Sequence, residues 1–97
     1  MDTKKHLDTI SYILSAFEDK SDIADLLLDV CTKKELEDIY QRFVVAQMLK
    51  DGLTFAQIEK LTGISSTTIT RVNKCLKNGK GYNKMFDKYH LTIDYGD

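Results

Sequence analysis

Seven hydroxyl or basic side chains lie close together in the second half of the chain, and their types suit contacts with a nucleic acid. They are Ser65, Ser66, Thr67, Thr68, Thr70, Arg71 and Lys74. Short hydroxyl groups can hydrogen-bond base edges or phosphates, and basic side chains can pair with phosphate. Serine and threonine are weak helix formers, so this run needs another reason. The cluster predicts a DNA-binding surface; the simpler alternative is the hydroxyl-rich start of an ordinary helical hairpin.

A helix-turn-helix within Thr54–Lys77 would present these side chains to solvent. Thr54 and Gln57 have the T-x-x-Q spacing of a capping box, which predicts a helix of about two turns over Phe55–Leu61. Gly63 follows, and glycine is the residue that adopts positive φ in a turn without steric cost. The spacing therefore predicts a short first helix and a tight turn.

The second helix of this motif is predicted to begin after Ser65 or Ser66 and to reach about Lys77, where a glycine-rich stretch ends it. Apolar residues at helical spacing would form the small core that holds the two helices together. They are Ile58, Leu61, Ile64, Ile69, Val72 and Leu76. Two helices packed in this way cross steeply, which leaves the second free to enter the major groove of DNA.

The charge of the chain is concentrated where this motif lies. Residues 54–84 contain six basic and one acidic side chain, a net charge of +5, although the whole chain has a net charge of −1. Residues 1–53 have a net charge of −4, and residues 85–97 have a net charge of −2. A contiguous basic segment is what a polyanionic partner requires. The alternative is a chance cluster of surface lysines.

The rest of the chain also has helical periodicity, so we predict a single all-helical domain over 1–97. A first helix is expected over about Thr3–Phe17, a second after Ser21 or Asp22, and a last short one over about 82–90. The longest helix, about Lys33–Asp51, follows a T-x-x-E capping box. Its apolar residues cover more than one face, so part of this surface is expected to meet a second subunit. We therefore predict that residues 4–52 form the dimerisation part of a homodimer. A core helix of a monomer is the alternative.

Composition and motifs exclude several classes of protein. The 97 residues are 42% hydrophobic and 30% charged, which is typical of a globular chain. Cys31 and Cys75 form no C-x-x-C pair, so we expect a reduced, cytoplasmic protein. No apolar run is long enough to span a membrane, and the chain start has no apolar signal segment. We find no motif of an enzyme, a metal site or a nucleotide site, and expect none of these.

Two stretches resemble the Trp repressor superfamily. The sequence TTITRVNKCLK, Thr67–Lys77, resembles the reading helix of the tryptophan repressor. The sequence LLDVCTKKELEDIYQRFVVAQMLKDG, Leu27–Gly52, resembles its central helices in the capping box, the arginine in mid-helix and the closing glycine. The arginine-valine-asparagine run before Cys75-Leu76 is more similar still to the TrpR-like YerC/YecD group. The resemblance covers about Leu26–Gly81.

The resemblance implies an intertwined, all-helical homodimer of Trp-repressor type that binds double-stranded DNA. It places the hydroxyl groups of residues 66–70 against DNA and matches Arg42 and Arg71 to the arginines that enclose the corepressor. Val72 replaces a glycine beside that pocket, and Cys75 replaces a serine that helps to hold the ligand. We therefore expect no tryptophan binding and leave open an unknown small effector near the two arginines. Glu59 replaces a lysine near the DNA backbone.

The function that these observations favour is sequence-specific transcriptional regulation, with repression as the expected sign. The base contacts would include Thr68, while Arg71 and Lys74 would contact phosphate. The alternative function is a helix-turn-helix module that binds another protein and no specific DNA sequence. The net acidic residues 1–53 would then face that partner.

Overall fold

The computed structural model describes residues 2–96, and this range is helical without a strand. The helices in this range are α1 (Thr3–Ala16), α2 (Lys20–Val30), α3 (Lys33–Lys50), α4 (Phe55–Thr62), α5 (Ser66–Asn78) and α6 (Gly81–Asp87). The predicted all-α fold is confirmed. None of these helices is long and apolar enough to cross a membrane.

The chain divides into two compact units between Leu36 and Glu37. In the first unit, neither α1 nor α2 has a buried side chain. Large apolar side chains of these two helices are exposed, namely Leu7, Ile10, Tyr12, Ile13, Leu14, Leu28 and Val30. Val30 is 70% exposed although the helical pattern of α2 places it inward. The described part of this unit therefore has no closed core of its own.

Aspartates begin both helices of the first unit. Asp2 accepts a hydrogen bond from the backbone N–H of Lys5 at 3.2 Å, and Asp19 accepts one from Ser21 at 2.7 Å. The prediction that Ser21 or Asp22 precedes α2 is wrong by two or three residues. Aspartate caps a helix N-terminus as well as serine does, and the Asp19 carboxylate, which comes earlier in the chain, is the N-cap of α2.

The second half of α3 is enclosed by the second unit. Five consecutive residues, Val44–Met48, are buried, and five positions at 100° per residue go once round the helix. The exposed large apolar side chains of α3 lie before this segment, at Ile39, Tyr40 and Phe43. Burial within the unit therefore accounts for the apolar character of α3 after Phe43, and the earlier positions remain available for other contacts.

One apolar cluster joins α3 to the helices that follow it. Its buried members are Val44, Val45, Ala46, Met48, Ile58, Ile64, Ile69, Val72 and Phe86. Partly buried residues of the segment after α6, Ile93 and Tyr95, pack against the same cluster. The core of the second unit thus holds α4 and α5 against α3.

The last predicted helix is shorter than expected. It ends at Asp87, and His90 has a φ of 54°, a left-handed conformation that a helix cannot contain. The backbone N–H of Leu91 then donates to Met85 at 3.0 Å, which turns the chain back. Residues 91–96 continue without regular structure.

Candidate nucleic-acid interface

The first helix of the predicted motif begins with the expected capping box. The backbone N–H of Gln57 donates to the Thr54 hydroxyl at 3.1 Å, and the Thr54 N–H donates to Gln57 Oε1 at 2.8 Å. These two bonds satisfy backbone groups that an uncapped helix would leave open. Gly63 ends the helix with a φ of 72°, so the predicted left-handed turn is confirmed.

The turn between α4 and α5 is held by Thr62 and closed by Ile64. The Thr62 hydroxyl donates to the carbonyl of Ile58 at 2.6 Å and accepts from the backbone N–H of Ile64 at 3.0 Å. Ile64 is buried, as predicted, but Leu61 is 68% exposed and the expectation that it points inward is wrong. The inner edge of α4 runs through Ile58 and Thr62, which are four residues apart, and Leu61 lies outside it.

The helix α5 has one apolar side and one polar side. Ile69 is 0% and Val72 is 1% exposed, and Leu76 is half-buried. Ser65 precedes the helix and accepts a hydrogen bond from the Thr68 N–H at 3.3 Å. Since the three apolar residues have the spacing i, i+3 and i+7, they anchor a single stripe of the helix to the core.

The residues predicted to contact DNA lie on the remaining surface of α5. Ser65, Ser66, Thr67, Thr70, Arg71 and Lys74 are exposed, and Thr68 is half-buried. The Ser65 hydroxyl donates to the Thr68 hydroxyl at 3.1 Å, so both belong to the helix cap. The hydroxyls of Ser66, Thr67 and Thr70 make no hydrogen bond within residues 2–96. These three hydroxyl groups are therefore available to an external partner.

The exposed side chains of α5 leave space between them. An open depression of about 610 Å³ is lined by Ser66, Thr67, Thr70, Arg71, Lys74 and Cys75. Its wall combines hydroxyl groups with two positive charges and contains no carboxylate. Such a lining suits a phosphate backbone and the polar edges of bases.

The basic side chains of the segment are all at the surface. Lys60, Arg71, Lys74, Lys77, Lys80 and Lys84 are exposed, and Glu59 is the acidic residue of residues 54–84. Exposed charges of one sign on neighbouring elements create a field that attracts a polyanion. The charge imbalance seen along the sequence is therefore also present at the surface of the folded unit.

Arg42 and Arg71, the residues predicted to hold an effector, both lie near the phenol of Tyr82. Burial raises the pKa of Tyr82, the Cys75 thiol raises it further, and the two guanidinium groups oppose this shift. The Tyr82 ring packs edge to face on Phe43, with ring centroids 6.3 Å apart. Both arginines thus interact electrostatically with one aromatic side chain of the same chain.

A second open depression lies beside Tyr82. It has a volume of about 530 Å³ and is lined by Phe43, Cys75, Gly79, Gly81, Tyr82 and Met85. Val72, which the resemblance places next to a ligand, is instead a core residue and lines neither this depression nor the one on α5. The effector and tryptophan predictions stay predictions. Within residues 2–96 there is no group of three histidine, cysteine or acidic side chains that could hold a metal ion.

Two polar side chains that no sequence motif singled out hold this unit together. Asn83 donates from Nδ2 to the carbonyls of Leu76 and Gly79, at 2.9 and 3.2 Å. These bonds give hydrogen-bond partners to two backbone carbonyls at the C-terminal end of α5. Gln47 is 4% exposed and accepts a hydrogen bond from the backbone N–H of Ile93 at 2.9 Å. The sequence contains one sign of this role of Gln47: it is the polar residue in the otherwise apolar run Val44–Met48. A buried amide requires hydrogen-bond partners.

Comparison with known proteins agrees with this geometry. The family model described as Trp repressor protein matches residues 5–90. The uncharacterized protein YerC of Bacillus subtilis (strain 168) is 34% identical over 90 residues, which are 93% of this chain and 81% of YerC.

Solved structures show the same fold. A crystal structure of a TrpR-like protein from Eubacterium eligens superposes with a TM-score of 0.80 at 32% identity, covering 93% of this chain and 94% of that one. A crystal structure of a candidate Trp repressor from Staphylococcus aureus has a TM-score of 0.80 at 30% identity, covering 97% of this chain and 99% of that one. Both likenesses extend well beyond the two helices of the motif.

Proposed function

Because this chain belongs to the Trp repressor family, whose members are DNA-binding regulators and not enzymes, we propose that it is a sequence-specific transcriptional repressor. We call α4, its following turn and α5 (residues 55–78) the reading head. The observation that carries the proposal is the two-sided character of α5. Its apolar stripe is sealed in the core, while its hydroxyl and basic side chains are exposed.

The exposed side of α5 suits the major groove of DNA. The groove admits one α-helix, and a helix whose outer side chains are short can bring its backbone close to the base edges. Ser66, Thr67 and Thr70 are short and have no partner within residues 2–96. We propose that these side chains contact bases, and that Arg71 and Lys74 contact phosphate.

The hydroxyls of Ser65 and Thr68 have a different role in this proposal. Their mutual hydrogen bond and the bond from the Thr68 N–H begin α5. The start of a helix attracts phosphate through its free N–H groups and dipole. Ser65 and Thr68 would therefore orient the end of the helix that meets the DNA backbone.

We further propose that the repressor is a homodimer. The exposed apolar residues of α1 and α2 support this, since isolated short helices are marginally stable and gain stability by burying an apolar face. Two reading heads related by a twofold axis would meet successive half-sites about one helical turn apart. A selected binding site with two inverted half-sites would agree with this arrangement.

An effector remains part of the proposal in a restricted form. A small molecule that binds near Arg42 and Arg71 would lie in the surroundings of Tyr82, with which both guanidinium groups interact electrostatically. We expect tryptophan to leave the melting temperature of the protein and its DNA affinity unchanged. A tryptophan-dependent gain in either quantity would contradict this expectation.

Selection from random duplexes, followed by sequencing, tests the proposed function. We expect one enriched site, bound with a dissociation constant of about 10⁻⁸ M or lower near physiological salt. The control is a shuffled duplex of the same composition, which should bind about a thousandfold more weakly. Enrichment of no sequence would overturn the proposal and favour a protein-binding module.

A further inference from the structure

The segment after α6 returns to the reading head. Leu91 is tied to Met85 by a backbone hydrogen bond of 3.0 Å, and Ile93 and Tyr95 then pack against the apolar core. We call residues 91–96 the strap. Its sequence has no helical pattern, and no function was predicted for it. Any role of the strap must therefore be inferred from the residues that it contacts in the fold.

A chain of hydrogen bonds fastens the strap to α3. The Ile93 N–H donates to Gln47 Oε1 at 2.9 Å, and Gln47 Nε2 donates to Asp51 Oδ1 at 2.9 Å. The Tyr95 hydroxyl donates to the other oxygen of Asp51 at 2.8 Å. Gln47 is 4% exposed, so its amide oxygen would lose its partner if the strap left. The network thus favours the attached state of the strap.

The strap lies at both joints of the reading head. Asp51 directly precedes Gly52, which has a φ of 93°, and Thr54 begins the α4 capping box two residues later. Tyr95 also lines an open groove of about 520 Å³ together with Leu61 and Ile64 from the turn between α4 and α5. One short segment is therefore hydrogen-bonded beside the point where the head leaves α3 and shares a groove with the point where the head turns.

We propose that the strap is a positioning element for DNA binding, and that Tyr95 and Asp51 hold the reading head in its binding-competent orientation. This inference rests on the proposed function. Attachment keeps α4 and α5 in one arrangement; release lets the head sample others. The apparent affinity for DNA is then the affinity of the attached state multiplied by the fraction of molecules that are attached.

The variant Tyr95→Phe tests the strap by removing one oxygen atom. Its matched control is Tyr89→Phe, since Tyr89 is 61% exposed and its hydroxyl has no hydrogen bond within residues 2–96. We expect Tyr95→Phe to bind the selected duplex about fivefold more weakly at a temperature far below its melting temperature. Tyr89→Phe should bind as the unmodified protein does.

Native-state hydrogen exchange supplies a second readout that does not require DNA. In Tyr95→Phe, the amides of the α4–α5 turn should exchange faster, while those of Val44–Met48 keep their protection. Asp51→Ala also removes the acceptor of Gln47 Nε2, so its effects should be at least as large. Adding Tyr95→Phe to Asp51→Ala should change little, because the Tyr95 hydroxyl acts through Asp51. Additive effects of the two substitutions would overturn the proposal.

The arms of the experiment separate the two proposals. If the unmodified protein selects no duplex, the proposed function fails, and hydrogen exchange alone decides whether the strap holds the head. If the unmodified protein and both tyrosine variants bind one duplex equally well and exchange equally, the strap proposal fails and the proposed function stands. A uniform rise in exchange across the second unit would also overturn the strap proposal. It would show that the strap stabilises the whole unit and does not specifically position the reading head.

Discussion

The two units of this chain bury their apolar residues in different ways. The unit that begins at Glu37 encloses nine buried apolar side chains in one cluster, to which α3, α4, α5 and α6 contribute. In the unit that ends at Leu36, α1 and α2 bury none and leave seven large apolar side chains exposed. The first of these patterns is that of a self-sufficient fold. The second leaves the apolar faces of α1 and α2 open to the subunit contact that we propose.

This difference matches the two tasks of the proposed function, which are DNA binding and self-association. A surface that reads DNA has to be held rigidly, because its base contacts depend on geometry. A surface that joins two subunits only has to be complementary to its own copy. We infer that the reading head is stable through contacts within one chain, and that α1 and α2 become stable through association. The predictions below test this contrast, from the largest expected effect to the smallest.

Substitution in the core of the reading head should have the largest effect. Ile69→Ala removes a fully buried side chain, and we expect it to lower the free energy of unfolding by about 2–5 kcal/mol. Thr70→Ala, at the next position on the exposed side of α5, should change it by less than about 0.5 kcal/mol. Denaturant titration measures both values. Equal losses would show that the two sides of α5 are not distinct.

A charge on the apolar face of α1 should weaken self-association. Ile10 is 53% exposed and lies on the stripe that also contains Leu7 and Leu14. If that stripe is covered in a dimer, Ile10→Lys buries an unpaired ammonium group, and we expect dimerisation to weaken about a hundredfold or more. Sedimentation equilibrium measures this change.

The matched control for that substitution is Tyr12→Lys. Tyr12 lies on the opposite side of α1 and is 77% exposed, so the same charge there should leave association unchanged. A dimer that tolerates both lysines would place the interface elsewhere. A chain that is monomeric before any substitution would refute the division of tasks between the units.

Local signals explain why much of the reading head was predictable. Thr54 and Gln57 form both bonds of their capping box, and Gly63 has the expected positive φ. These features depend on residues three or four positions apart, which the sequence displays directly. The exposed face of α5 was predictable for the same reason, since Ile69 and Val72 define the buried side by their spacing.

Contacts between distant residues explain what was missed. Gln47 and Ile93 are 46 positions apart, and neither local propensity nor periodicity relates them. Leu61 has the helical spacing of an inward residue, yet it is exposed while Ile58 and Ile64 are buried. In both cases tertiary packing decides the outcome among positions that look equivalent along the chain.

Removal of a single phosphate contact should weaken DNA binding without altering its sequence preference. For Lys74→Ala we expect weaker binding to selected and shuffled duplexes alike, and a salt dependence whose slope is smaller by about 0.9. Lys88→Ala is the control, because Lys88 is exposed but lies outside the basic segment 54–84. Titrations at several salt concentrations measure the slopes. Identical slopes for both variants would remove Lys74 from the interface.

Removal of a base contact should have a smaller effect on overall affinity and a larger one on preference. Thr70→Ala should reduce the preference for the selected duplex over one with a single altered base pair by about tenfold. Thr70 is a better test than Thr68, whose hydroxyl also belongs to the helix cap. Arg71→Ala should weaken binding to both duplexes by the same factor. An unchanged preference in Thr70→Ala would contradict its assignment.

The smallest expected effect is a loss of stability at high pH that comes from Tyr82. Burial, followed by the Cys75 thiol, raises the pKa of Tyr82 above its ordinary value of 10.0, against the opposing guanidinium groups of Arg42 and Arg71. Because folding favours the protonated phenol, its contribution to the free energy of unfolding is complete below pH 10.0 and is lost as the pH rises through the pKa of the folded state.

Denaturant titration across this pH range, on the unmodified protein and on Tyr82→Phe, measures that contribution. The Asp51 carboxylate, through its hydrogen bond, likewise raises the pKa of Tyr95, so Tyr82→Phe should flatten the alkaline decline only in part. Adding Tyr95→Phe should flatten it further. Both tyrosines belong to the unit with the closed core. If neither substitution alters the decline, it originates outside these two hydroxyl groups, and the close packing inferred around Tyr82 is wrong.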